Sequence, residues 1–144
     1  METSEYLKLE NQLCFSLYAA SRLVTKCYQP VLDNLGITYP QYLVLMVLWE
    51  TDSIALSVIA EKLKLQSNTL TPLLKRMQEI GLVNRVRSQK DERSIVISLT
   101  AGGLGLKEKA PLLQNQLANN IGISHDEAKQ LYVILNKLIV NIEV

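Results

Sequence analysis

Between residues 54 and 99 the spacing of apolar positions changes from helical to strand-like. Within Ser57–Leu63 the apolar residues are Val58, Ile59 and Leu63. After a break at Lys64–Asn68, a second run carries Leu70, Leu73, Leu74, Met77 and Ile80 at intervals of three and four. This spacing predicts two short helices joined by a tight turn. Gly81 ends the second helix, and Val83, Val86, Ile95, Ile97 and Leu99 fall among polar residues on either side of SQKDERS, which predicts two strands and a charged tip. Helix, turn, helix and hairpin together make a winged helix-turn-helix.

The flanking segments read as helices. Leu9, Leu13, Leu17, Ala20, Val24 and Tyr28 predict a long helix over Leu7–Gln29, with Pro30 where it falters and a turn over Asn34–Pro40. Gln41–Glu50 is apolar nearly all round and is expected in the core. Ala101–Asn120 has helical propensity despite Gly102, Gly103, Gly105 and Pro111. Ser124–Ile142 starts with Ser124 and Glu127 as a capping box and carries a stripe of Leu131, Ile134, Leu135, Leu138, Ile139 and Ile142. The fold class expected is mainly α with a small β-hairpin. An N-terminal dimerisation helix spans 1–34, the winged helix-turn-helix 35–100, and C-terminal dimerisation helices 101–144. Too little chain remains to cover the last stripe, so the expectation is a two-fold homodimer, its recognition helices in successive major grooves roughly 34 Å apart. The alternative is that both terminal helices fold back on their own domain.

Charge brings DNA into the picture. The whole chain carries +1, but Ala60–Arg93 holds eight basic and four acidic residues, a net +4. Near the start of the second helix of the pair, Ser67, Asn68, Thr69 and Thr71 are suited to base edges, and Lys75 and Arg76 to phosphates or a guanine. Arg87 adds a cation on the hairpin. Arg93 at its tip suits the minor groove, with Asp91 placed to hold its guanidinium. Pro72 must fall in the first turns of that helix, which then starts at Ser67 or as late as Thr71. The partner expected is double-stranded DNA with a palindromic operator.

Other classes have little to draw on. The longest apolar run, Tyr42–Trp49, is far short of the roughly 20 residues a bilayer demands, and METSEYLKLENQ lacks the basic start and apolar core of a signal peptide. A cytoplasmic protein without a membrane partner is expected. The two cysteines, Cys14 and Cys27, read as free thiols, and the single histidine, His125, gives a metal site or a histidine-dependent enzyme nothing to build on. No cofactor, metal or catalytic residue is expected.

Three stretches carry a resemblance that covers Leu7 to about Lys109: LENQLCF leading into ITYPQYLVLMVLWE, SNTLTPLLKRMQEIGLV, and KDERSIVISLT. They resemble the MarR family of winged-helix repressors and, within it, the organic-hydroperoxide sensors. The resemblance implies a homodimeric repressor that leaves its operator when an N-terminal cysteine, by position Cys14, is oxidised by an organic hydroperoxide. It also implies that Tyr18, Tyr28 and Tyr39 hydrogen-bond that cysteine. Phenol O–H groups favour a thiolate, the species that attacks a peroxide. In a continuous helix Tyr18 is one turn from Cys14 and Tyr28 returns to within about 40° of the same face, while Tyr39 approaches from the next helix or the other subunit. By residue type alone, Cys14 would be a small core residue.

Cys27 lies thirteen residues further along, roughly 20 Å on one helix and too far for a disulfide with Cys14 of the same chain. Two-cysteine members of the family use a resolving cysteine in the C-terminal part, where this sequence has none. The resemblance is thus to the one-cysteine type, in which oxidised Cys14 passes to a mixed disulfide with a low-molecular-weight thiol or to overoxidation; a Cys27 thiol from the partner subunit is the alternative. Asn68 departs from the Gly or Ala usual in the family, and the chain from Ala110 onward matches only in its helical pattern. Two other readings use the same residues. One is a repressor released by a small apolar or phenolic ligand, with Cys14 structural. The other is a thiol peroxidase, which would leave the winged helix unexplained.

Overall fold

The computed structural model describes residues 3–91 and 93–143, so Glu92 of the charged tip lies outside the described residues, as do Met1, Glu2 and Val144. Its elements run α1 (Thr3–Tyr6), a 3-10 turn (Leu9–Asn11), α2 (Leu13–Leu35), α3 (Tyr39–Glu50), β1 (Ile54–Ala55), α4 (Leu56–Leu63) and α5 (Ser67–Glu79). They continue with β2 (Val83–Arg87), β3 (Ile95–Leu99), α6 (Ala101–Gly105), a second 3-10 turn (Leu106–Lys109), α7 (Ala110–Asn120) and α8 (His125–Ile142). The sheet is antiparallel in the order β1-β3-β2, with Val83 opposite Leu99 and Arg87 opposite Ile95. This is the winged helix-turn-helix that the apolar spacing predicts, with long helices before and after it.

The α4–α5 turn is tight because Lys64 adopts a left-handed conformation, φ 58, and the Leu65 N–H reaches back to the Ala60 carbonyl at 2.9 Å. Leu70, Leu74 and Met77 on α5 are fully buried against Ile59, Val83, Ile97 and the apolar body of α3, in which Tyr42, Val44, Leu45 and Leu48 are buried too. Burying that side of α5 turns its other side to solvent.

Several boundaries differ from the sequence expectation; α3 starts at Tyr39 rather than Gln41, with Pro40 in its first turn and Thr38 as its cap. The long helix covers Leu13–Leu35 rather than Leu7–Gln29. At its start the chain is extended at Gln12, whose side-chain amide donates to the carbonyls of Lys8, at 3.0 Å, and Tyr6. At its end Pro30 does not stop it. The proline removes one N–H from the ladder, whereas burial of Tyr28 and Leu32 holds the helix on its neighbours. The stop is Gly36, φ 71, where the Ile37 N–H closes on the Leu32 carbonyl at 3.1 Å. Ala101–Asn120 is broken into α6, a 3-10 turn and α7, with Thr100 capping α6 through the Gly103 N–H at 3.0 Å and Pro111 accommodated in the first turn of α7. β1 was not anticipated. The Asp52 carboxylate holds it to the sheet edge by accepting from the Leu99 N–H at 2.9 Å.

The terminal helices behave differently from one another. α7 folds back along α2, burying Leu113 and placing Gln114 Nε2 3.0 Å from the Tyr42 hydroxyl. α8 keeps its capping box, Ser124 Oγ accepting from the Glu127 N–H at 3.1 Å, but has no buried residue, and its Leu131, Ile134, Val140 and Ile142 are exposed. Near its end Glu143 pairs with Lys64 at the α4 cap. Among the described residues no single helix is long and apolar enough to cross a membrane.

Candidate DNA-binding face and thiol site

The outward side of α5 carries the residues expected to read DNA. Ser67, Asn68, Thr69, Lys75 and Arg76 are exposed, and Thr71 is half-buried, its hydroxyl donating to the Ser67 carbonyl at 2.8 Å. Pro72 is the sixth residue of α5, so its ring leaves the Asn68 carbonyl without its ladder donor. Arg76 Nη1 lies 3.2 Å from Glu79 Oε2, an exposed pair that DNA phosphates can replace.

The start of α5 and the tip of the wing form one surface. A cleft of about 400 Å³ lies between Ser57 of α4, Ser67 and Thr71 of α5, and Asp91, Arg93 and Ser94 of the tip. Ser57 and Ser94 are additions to the residues picked from sequence; each is a lone serine, and only the tertiary fold brings it to this cleft. Asp91 acts differently from the expectation. Its carboxylate accepts from the Arg93 backbone N–H at 3.0 Å, bracing the turn rather than the guanidinium. Arg87 is exposed and is the last residue of β2, opposite Ile95 at the tip end of the hairpin.

Cys14 is the second residue of α2 and is exposed, which removes the reading of it as a core residue of a single chain. It stands among exposed apolar side chains, Leu13, Phe15 and Tyr18. The Tyr18 ring, one turn on, lies beneath the Arg22 guanidinium at 5.4 Å, and its hydroxyl accepts from Arg22 Nη1 at 3.5 Å.

Tyr28 and Tyr39 are together, ring centroids 5.2 Å apart, because Gly36 turns the chain and brings the start of α3 back against α2. Burial first, then the neighbouring Tyr39 and Tyr42 phenols and the Cys27 thiol, pushes Tyr28 up to about 12; burial and Tyr42 push Tyr39 upward as well. Both stay neutral and keep a proton to donate. Tyr28 stands fourteen residues along α2 from Cys14, about 21 Å at the helical rise, and Tyr39 is held beside it from α3. Within one chain the structure therefore groups Tyr28 with Tyr39, and leaves Cys14 and Tyr18 at the opposite end of the helix. Cys27 is half-buried, and both cysteines are free thiols. Among the described residues no group of three or more His, Cys, Asp or Glu is placed to hold a metal ion.

Sequence reasoning passed over two further aromatic residues. Tyr42 lies 6.1 Å from Tyr28 and 6.3 Å from Tyr39, and Trp49 lies 6.1 Å from Tyr42. Their signal was the seven-residue interval between them, which returns to one helical face.

Comparison with known proteins agrees with this architecture. Residues 26–110 match a family described as transcriptional regulator SarA/Rot. The organic hydroperoxide resistance transcriptional regulator of Bacillus subtilis is 50% identical over 135 residues, spanning 94% of this chain and 92% of that protein. Reduced AbfR bound to DNA is 38% identical with a TM-score of 0.79, covering 99% of this chain and 100% of that one. Overoxidised AbfR bound to DNA is 39% identical with a TM-score of 0.78, covering 98% and 99%; AbfR is a protein of Staphylococcus epidermidis. The matched family and the curated relative are transcriptional regulators, not enzymes.

Proposed function

The chain belongs to the MarR/SarA family of winged-helix transcriptional regulators, in the branch of the organic-hydroperoxide regulators, and from that premise we propose that it is a homodimeric repressor whose Cys14 senses organic hydroperoxides. The observation that carries this reading is an exposed Cys14 in apolar surroundings at one end of α2, with the buried Tyr28 phenol near the other end and the half-buried Tyr39 phenol packed on it from α3. Two copies of α2 packed antiparallel bring the Cys14 of one protomer to the Tyr28–Tyr39 pair of its partner, while Tyr18 serves from the same helix. The uncovered faces of α8 and of the first turns of α2 support such a pairing.

In the reduced dimer the two α5 helices enter successive major grooves of a palindromic operator. Ser67, Asn68, Thr69 and Thr71 face base edges, Lys75, Arg76 and Arg87 face phosphates, and Arg93 enters the minor groove from a tip braced by Asp91. The Cys14 thiolate attacks the outer oxygen of R–O–O–H. The O–O bond breaks, sulfur retains that oxygen with its hydrogen as a sulfenic acid, and the alkoxide R–O⁻ leaves and takes a proton from water to become the alcohol R–OH. The enlarged group disturbs its hydrogen bonds with the tyrosines and shifts the paired helices, so both half-sites are no longer matched together and the operator is released. A low-molecular-weight thiol then caps the sulfenic acid, losing water to form a mixed disulfide. The repressor works in the cytoplasm.

A mixed-dimer experiment tests the cross-subunit site. One subunit carries Cys14→Ser, the other Tyr28→Phe with Tyr39→Phe, and oxidation of the remaining Cys14 is followed by mass. In the mixed dimer that thiol faces the intact tyrosines of its partner and reacts at the wild-type rate, while in the Tyr28→Phe/Tyr39→Phe homodimer it reacts slowly. Equal, slow reaction in both would contradict the arrangement.

A further inference from the structure

The rings of Tyr28, Tyr39, Tyr42 and Trp49 form one contiguous file through the core, with centroid separations from 5.2 to 6.3 Å. Tyr42 is its middle member and is 1% exposed. It follows Tyr39 by three residues and precedes Trp49 by seven, so all three project from one face of α3.

The file ends at α6, beside the base of the wing. The Trp49 indole N–H donates to the Gly103 carbonyl at 3.0 Å. Gly103 rests so closely on the Leu82 carbonyl that a Cβ would lie 2.2 Å from its oxygen. The same carbonyl accepts from the Thr100 N–H at 3.1 Å, joining the chain that enters β2 to the chain that leaves β3. The indole hydrogen bond, and the glycine that lets α6 close on the Leu82 carbonyl, tie this aromatic face to the base of the wing.

We propose that Tyr42 and Trp49 are positioning residues that carry the state of the Tyr28–Tyr39 pair to the base of the wing. The signal they carry rests on the peroxide-sensing reading of Cys14; the ring file itself does not. Close-packed interiors absorb little displacement without moving the next side chain. When Tyr28 and Tyr39 lose their engagement with an oxidised cysteine, Tyr42 shifts against Trp49. The Trp49–Gly103 hydrogen bond then moves α6 and the roots of β2 and β3 together, and the wing tip that carries Arg93 swings with them. Linkage runs both ways, so the operator gripping the wing must also alter the surroundings of Trp49.

Two measurements on the full-length dimer test the relay. The first uses the reduced Cys14→Ser protein, in which oxidation plays no part: Trp49, the sole tryptophan, is followed by its emission as palindromic operator duplex is added. A shift in emission on binding is expected, and an unchanged spectrum at saturation overturns the relay whatever peroxide does. The second uses Trp49→Phe, which keeps the ring and removes the N–H, and reads binding from labelled duplex. Expected are near-wild-type affinity when reduced and wild-type oxidation of Cys14 by mass. The loss of affinity on oxidation, on the order of 5–150-fold in a typical coupled system, should largely disappear. Tyr42→Phe, which keeps the ring contacts and drops only the hydroxyl, should still release. Release from oxidised Trp49→Phe by the full wild-type factor overturns the relay. A wild-type protein that holds its operator after Cys14 has gained oxygen instead refutes the peroxide reading, and the emission measurement then judges the ring file alone.

Discussion

Replacing Gly103 by alanine tests how rigidly the wing is rooted. The added Cβ would lie 2.2 Å from the Leu82 carbonyl oxygen and 3.1 Å from Leu99 Cδ2. The first distance is roughly 1 Å short of van der Waals contact. The carbonyl has little freedom to retreat, because it accepts from the Thr100 N–H at 3.1 Å while the Thr100 hydroxyl donates to the Gly81 carbonyl at 2.6 Å. Overpacking of this kind costs about 3 kcal/mol, offset by about 1 kcal/mol of better helix propensity. The net loss of about 2 kcal/mol corresponds to a fall in Tm of about 4–8 °C for a chain of this size. Gly105, with nothing within 4 Å of a built Cβ, is the control. Gly105→Ala should hold or raise Tm by the propensity gain alone. Thermal melts followed by Trp49 emission and by circular dichroism read both variants. A Gly103→Ala protein that melts at or above wild type, or a Gly105→Ala protein that falls equally, would refute the packing argument.

Two further outcomes follow from the sites described. Tyr28 is held near 12 against an ordinary value of 10.0, so the folded state keeps its proton where the unfolded chain loses it. Its contribution to stability is constant below about pH 10 and falls as pH rises towards 12, with a limiting slope of about 1.4 kcal/mol per pH unit. Urea midpoints between those values should drop less steeply in Tyr28→Phe, and parallel curves for the two proteins would sink the assignment. On α8, Leu131→Glu with Ile134→Glu places charge on an exposed apolar face. Sedimentation at micromolar concentration should show wild-type dimers and mutant monomers with unchanged helicity, whereas dimers in both would move the interface elsewhere.

What the sequence reveals here depends on the range of the interactions that decide each feature. The Ser124–Glu127 capping box, the apolar face of α5 and the stop at Gly81 are local, spanning a few residues, and all three are present as read. Pro30 misled because a proline penalty is local, while the burial of Tyr28 and Leu32 that outweighs it is tertiary. β1 was hidden because two residues carry no periodicity, and a bond from Asp52 to Leu99 across the fold holds them to the sheet. At the DNA face, the polar side of α5 was legible from period alone, whereas Ser57 and Ser94 join it only through the folded cleft. Asp91 was placed at the right turn with the wrong partner, since a carboxylate two residues before an N–H closes a local turn more readily than it reaches a long guanidinium. Cys14 was picked out by resemblance rather than by pattern; residue type alone pointed to the core, and the structure puts it on the surface. The pairing of Tyr28 with Tyr39 depends on the reversal at Gly36, which periodicity does not encode.

The most direct measurement is fluorescence polarisation of labelled palindromic operator bound to the reduced protein, with a stoichiometric organic hydroperoxide added and the mass of Cys14 followed in the same sample. Wild type should release the duplex as the thiol gains one oxygen, and Cys14→Ser should bind equally well and stay bound. Release of Cys14→Ser at the same dose, or a wild-type protein that remains bound once Cys14 is oxidised, would contradict the account.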